Sequence, residues 1–270
     1  MIDNGLSRRE TLKRMAELGL SADDVAALVI THEHGDHIKG LDVWCKHWHG
    51  PLFARRDTLS CKENLAHLPV EEFDPGDTLP IAGIHVQTYS TSHDVINPVG
   101  YRFNALDDSI GFATDTGELS SQAMNILKDC RVLALESNHD VTMLREGEYP
   151  RFLQERILSA RGHLSNGQAA EAARELVTDR TEQLIAMHIS QDNNRPTLPS
   201  KAMPTRLMQV SMMNSAVLPP VFKGHGSSRY ALQASINRQP FNSPSRQQGG
   251  GWESLPSPLN SYSRLKQSHR

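Results

Sequence analysis

The chain has 270 residues, 38% of them apolar and 22% charged, with 28 Lys/Arg against 31 Asp/Glu. This composition suits one large soluble domain or two small ones, and no apolar run approaches the ~20 residues of a membrane span. Three widely spaced cysteines, Cys45, Cys61 and Cys130, exclude a disulfide framework and point to a reducing compartment.

The near-neutral total hides an uneven spread. Residues 201–270 hold nine Lys/Arg against the single acid Glu253, while the first 200 residues hold 19 bases against 30 acids. The opening "MIDNGLSRRE" has no apolar core of a signal peptide, so a cytoplasmic location is expected. "SRRETLKRMAELG" (7–19) predicts a helix capped by Ser7, striped by Leu12, Met15 and Leu18, and ended by Gly19. "VAALVI" (25–30) predicts a buried strand. "KGLDVWCKHW" predicts a helix, and "PLFARRDTLSCKENL" a short strand followed by a helix. Cys45 and Cys61 would then be buried small hydrophobes. "IHVQTYS" alternates as a strand, and "VGYRFNALDDSIGFATD" predicts a hairpin turning at "NALDDS". "CRVLALES" and "EQLIAMHIS" are further strands, with the helix "SNGQAAEAARELV" between them, capped by Ser165. Helices and strands in this mixture predict an α/β protein with mixed sheets. Past about residue 195 the periodicity stops, and residues 201–270 contain 12 Ser and 7 Pro. The expected division is a folded domain over 1–199 and a Ser/Pro-rich, basic, disordered tail over 200–270.

The motif "THEHGDH" (31–37) follows the first strand directly. Where a strand runs into a loop, residues two apart point the same way, so His32 and His34 can converge on one cation. Asp36 and His37 begin the next helix and can face a second cation. Imidazole and carboxylate donors together suit Zn²⁺, Mn²⁺ or Fe²⁺. Further candidates sit where later strands exit: His93 in "TSHD", Asp115 in "FATDTG" and His188 in "AMHIS". The carboxyl ends of strands are where sites assemble in such sheets. His163 in "RGHLSN" rivals His188 as a ligand.

This ordered set is similar to the HxHxDH signature of the metallo-β-lactamase-fold hydrolases. "THEHGDHIKGL", "GFATDTG", "LESNHD", "RGHLSN" and "HISQDNN" resemble the YycJ/WalJ-like branch, from about residue 2 to 195. The resemblance implies an αββα sandwich. It implies His32, His34 and His93 on one divalent ion, Asp36, His37 and His188 on a second, and Asp115 between them. It implies a 5′-to-3′ DNA exonuclease in which Asp36 orients the nucleophile and His163, or else His139, protonates the leaving oxygen. Asn138, Ser165 and Asn194 are candidates to bind a substrate phosphate, although turns and caps also use such residues. Family members begin with a strand pair ahead of the segment like "IDNGLS", so the first strands of the small half-sheet are expected to be missing and its edge bare. Two other readings fit the motif. One is a small-molecule hydrolase of a lactone, thioester or β-lactam, weighed down by Lys39 where a thioesterase pattern has Gly. The other is an inactive fragment, or a nucleic-acid binder that uses its basic tail.

Overall fold

A computed structural model describes residues 1–203 and the backbone of 208–210. Among these residues, no helix is long and apolar enough to cross a membrane.

Helix α1, Arg8–Glu17, starts where the Ser7 hydroxyl accepts from Glu10 N at 3.3 Å. Gly19 ends it at φ +72, a left-handed conformation that glycine adopts without strain. β1, Leu28–Val29, is a short parallel partner of β2, Leu52–Arg55, which pairs with β3, Glu71–Phe73. These three strands form the smaller sheet. The edge of β1 that the sequence predicted to be bare is covered by residues 1–3. Ile2 bridges to Val29, Asp3 N donates to Val29 O at 2.9 Å, and Val29 N donates to Met1 O at 3.0 Å.

Two short helices, α2 (Gly35–Ile38) and α3 (Leu41–Cys45), link β1 to β2. The helix expected after β2 is absent. Residues 56–67 are successive turns, and Asp57, with a φ of +65, breaks any helical run there. Leu59 and Leu65 still reach the core, but Cys61 is exposed, contrary to the sequence expectation.

The larger sheet has seven strands in the order β10-β9-β8-β7-β6-β5-β4. β4 (Thr78–Ile81), β5 (Ile84–Ser90), β6 (Val99–Ala105) and β7 (Asp108–Ala113) form an antiparallel meander. β7, β8 (Val132–Glu136), β9 (Gln183–Met187) and β10 (Met208–Val210) are parallel. Parallel neighbours need crossovers, and helices supply them: α4 (Ser121–Leu127) before β8, then α5 (Val141–Glu146), α6 (Arg151–Leu158) and α7 (Asn166–Leu176) before β9. α8, Thr197–Ala202, crosses the expected boundary at residue 199 and leads to β10. The rest of the expected tail lies outside the described residues.

Strand alternation sorts side chains into layers. On β8, Leu133 and Leu135 pack with Ala169 and Ala173 of α7, whereas Ala134 faces Val29 and Phe53 of the smaller sheet. On β1, Leu28 packs with Met15 of α1 and Trp44 of α3, whereas Val29 faces the larger sheet. The result is helix, sheet, sheet, helix. One apolar layer, with Tyr101, Phe112 and Val86 buried at its centre, lies between the sheets. Tyr101 brings its hydroxyl across that layer to donate to Ile30 O, at the exit of β1.

Candidate metal centre

The exits of strands from both sheets meet at one place. From the smaller sheet come His32, His34, Asp36 and His37. From the larger come His93 after β5, Asp115 after β7 and His188 after β9. Three groups of side chains bring potential ligand atoms within 4.8 Å of one another: His32, His34, His93 and Asp115; Asp36, His37 and His188; and Asp115, Glu136, His163 and His188. Asp115 is common to the first and last groups. Its carboxylate lies 3.7 Å from His93 Nε2, 3.3 Å from His37 Nε2 and 3.5 Å from His188 Nε2. Asp115 and His188 both hold left-handed backbones, at φ 50 and 54. Non-glycine residues in that region store strain, which concentrates at functional sites.

Every anchored imidazole turns the same nitrogen inward. His37 Nδ1 donates to Asp3 Oδ2 at 2.8 Å. The Thr31 hydroxyl gives its one proton to Asp3 Oδ2 at 2.7 Å, so it accepts from His32 Nδ1 at 3.0 Å. His93 Nδ1 donates to Gly162 O at 3.0 Å, and His188 Nδ1 to Glu136 Oε1 at 2.7 Å. In each ring the outer hydrogen bond fixes the tautomer and leaves the Nε2 lone pair for a cation. His34 is the exception, with Nδ1 lying 3.3 Å from His93 Nε2.

The donor set fits divalent ions. His32 Nε2 and His37 Nε2 are buried and have no hydrogen-bond partner, which is costly unless an ion takes them. Burial would raise the Asp115 carboxyl, but the surrounding imidazoles, His188 and His37 first, hold it well below the usual carboxylate range. Burial works the same way on Glu136, and His163 and His188 draw it down to about 2. Ionised carboxylates among imidazole nitrogens make a site suited to divalent cations.

Glu136 and Asp3 had no role in the sequence reading. Glu136 is the one acid closing the apolar run "VLALE", which was its only signal. It accepts from His163 Nδ1 at 2.8 Å and from His188 Nδ1 through Oε1, and from Thr116 N at 2.9 Å through Oε2. His163 is therefore fixed beside the centre with its Nε2 unclaimed by Glu136. His139 differs. It is 0% exposed, neither ring nitrogen has a partner, and it belongs to none of the convergent groups. The remaining candidates brace loops. Asn138 donates to His188 O at 3.0 Å, and the Ser165 hydroxyl caps α7. Asn194 donates to Ser137 O and Asn138 O, both at 2.9 Å.

The family model for the beta-lactamase superfamily domain matches residues 1–189. The chain is 36% identical over 202 residues to an exodeoxyribonuclease, YycJ, of Bacillus anthracis, covering 73% of this chain and 76% of that protein. It is 34% identical over 218 residues to an exodeoxyribonuclease, WalJ, of Streptococcus pneumoniae, covering 78% and 81%. Among solved structures, Zn²⁺-bound PqqB from Methylobacterium extorquens superimposes with a TM-score of 0.61 at 14% identity, over 78% of this chain and 80% of that one, a likeness of fold. With these matches and the ligand geometry together, the chain belongs to the metallo-β-lactamase-fold metallohydrolases, in their YycJ/WalJ-like branch.

Proposed function

We propose that this metal-dependent ester hydrolase cleaves phosphodiester bonds in DNA, using two divalent ions, as a 5′-to-3′ exonuclease in a cytoplasmic setting. The observation that carries the reading is the Glu136–His163 pair set beside Asp115. A leaving sugar oxygen is a poor leaving group and needs a proton. His163 has Nδ1 held by Glu136, so Nε2 is the atom that delivers it. Burial pulls the His163 pKa down, but Glu136 outweighs it and keeps the ring's pKa above its ordinary value. The two exodeoxyribonuclease relatives support the choice of DNA.

Ions bound by these side chains supply Lewis acidity toward a phosphoryl oxygen and lower the pKa of water. His32, His34 and His93 would hold one and Asp36, His37 and His188 the other, with Asp115 shared. The chain does the positioning. Asp36 is the exposed carboxylate of the set and orients the attacking water. The four Nδ1 anchors stop the imidazoles from swinging during the reaction.

Plasma mass spectrometry on the purified chain should find about two transition-metal ions. Hydrolysis of bis(p-nitrophenyl) phosphate and linear DNA should exceed that of nitrocefin or a thioester; the reverse order sinks the proposal. Asp36→Ala and Asp115→Ala should abolish phosphodiester hydrolysis, and full activity in either rejects the mechanism. His163→Ala should slow DNA cleavage by roughly 10²–10⁴-fold. It should slow bis(p-nitrophenyl) phosphate less, because p-nitrophenolate leaves without a proton.

A further inference from the structure

Three consecutive residues meet the centre in three ways. The Arg161 guanidinium donates twice to His93 O, through Nε at 3.2 Å and Nη2 at 3.1 Å. The Gly162 carbonyl accepts from Nδ1 of the same histidine at 3.0 Å. His163 follows, with its own Nδ1 held by Glu136 and its ring centroid 4.9 Å from that of His93. Residues 161–163 therefore grip His93 by main chain and by ring, and they also carry the imidazole that delivers the proton.

Both sides of this grip are braced. Gly162 N donates to Ser159 O at 2.9 Å and His163 N to Ile157 O at 3.0 Å, so the segment folds back on the end of α6. Opposite it, the loop 91–98 closes at its neck, where Thr91 N donates to Pro98 O at 3.1 Å. Asp94 on that loop pairs with Arg156 of α6. Ile96 N donates at 2.7 Å to the buried Glu33, which stands between His32 and His34 in the motif. One loop thus joins the three histidines of the first ion to the proton donor. Arg161 is the unexpected member. It is exposed, and among the described residues its guanidinium meets a peptide carbonyl and no carboxylate. A positive charge beside a cation site is unfavourable by Coulomb's law, so its reason for being there lies in what it holds.

We propose that Arg161 is a positioning residue that fixes His93, and with it the first ion, against His163, so that ligand and proton donor form one rigid unit. The proposal deepens the phosphodiesterase reading, on which the second of its two readouts rests. The first readout is Zn²⁺ binding to the metal-stripped full chain, measured by competition with a chelating dye. Arg161→Ala should weaken the Zn²⁺ step that His93→Ala removes by about 10–100-fold, and leave the other step in place. Charge alone predicts the opposite sign, because the variant removes a cation from the neighbourhood of the ions. Arg161→Lys, which keeps the charge and a donor, should recover most of the loss. Arg151→Ala, which removes the same charge from α6 without reaching His93, should leave both steps unchanged. The second readout is hydrolysis at saturating Zn²⁺. Arg161→Ala should slow cleavage of linear DNA more than that of bis(p-nitrophenyl) phosphate, since only the first reaction draws a proton from His163. Parent-like or tighter Zn²⁺ binding in Arg161→Ala overturns the proposal. So does equal weakening of both steps, which is general loosening, and so does equal slowing of the two substrates. If the parent chain hydrolyses neither substrate, the phosphodiesterase reading fails, and the Zn²⁺ steps alone still decide whether Arg161 positions His93.

Discussion

At the scale of single residues, the centre depends on groups that never touch a cation. Asp3 holds His37 directly and His32 through Thr31. Asn tolerates the left-handed backbone at position 3, where φ is 54. Asp3→Asn should therefore fold yet lose metal affinity by about 10–100-fold, read by competition with a chelating dye. Retained affinity would make Asp3 a packing residue only. His139 makes a pH prediction. Burial lowers its pKa from 6.5 to about 4. The unfolded chain therefore binds this proton first as pH falls, so stability is unaffected above pH 6.5 and lost between 6.5 and about 4. Urea midpoints across that window should fall less steeply in His139→Leu than in the parent. Most of the side chains that converge on the centre were legible because they share a position, the exit of a strand. Glu136 and Asp3 were not, because a residue that orients a ligand obeys no spacing rule. Only the folded chain brings residue 3 to residue 37, or 136 to 163 and 188.

At the scale of elements, the strongly patterned segments were readable. α1, β5, the β6–β7 hairpin, β8, α7 and β9 all stand close to where their periodicity placed them. β3, β4, α4, α5, α6 and α8 were missed. They are short or polar, and α6 buries no residue, so burial leaves no stripe to read. The turns at 56–67 mimic a helix in composition, but Asp57 interrupts it. Some couplings between elements depend on close approach. A Cβ on Gly5 would lie 1.5 Å from the Asp36 carbonyl oxygen, so the segment before α1 and the start of α2 touch backbone to backbone. Gly5→Ala must push α2 away and carry Asp36 and His37 with it. The expected outcome is loss of about one of two bound ions per chain, counted by mass spectrometry, along with a lower melting temperature. Unchanged stoichiometry would show that α2 can shift without its ligands.

At the scale of the whole molecule, the centre draws its converging side chains from both sheets. His32, His34, Asp36 and His37 belong to the smaller, and His93, Asp115 and His188 to the larger. Ions bound there stabilise only the state in which both sheets are packed. Chelation should lower one melting transition for the entire described body, by several degrees for each factor of about 100 in free metal over Kd. Calorimetry showing a local, separate transition would mean that the ions hold only a loop. The spread of ligands from residue 32 to residue 188 also bears on biosynthesis. A ribosome exposes the "THEHGDH" motif on the order of ten seconds or more before His188 leaves the tunnel. Until then the nascent chain presents an open imidazole cluster that can chelate but cannot select. The second and third groups of converging side chains both need His188, so neither can assemble until that residue has been made.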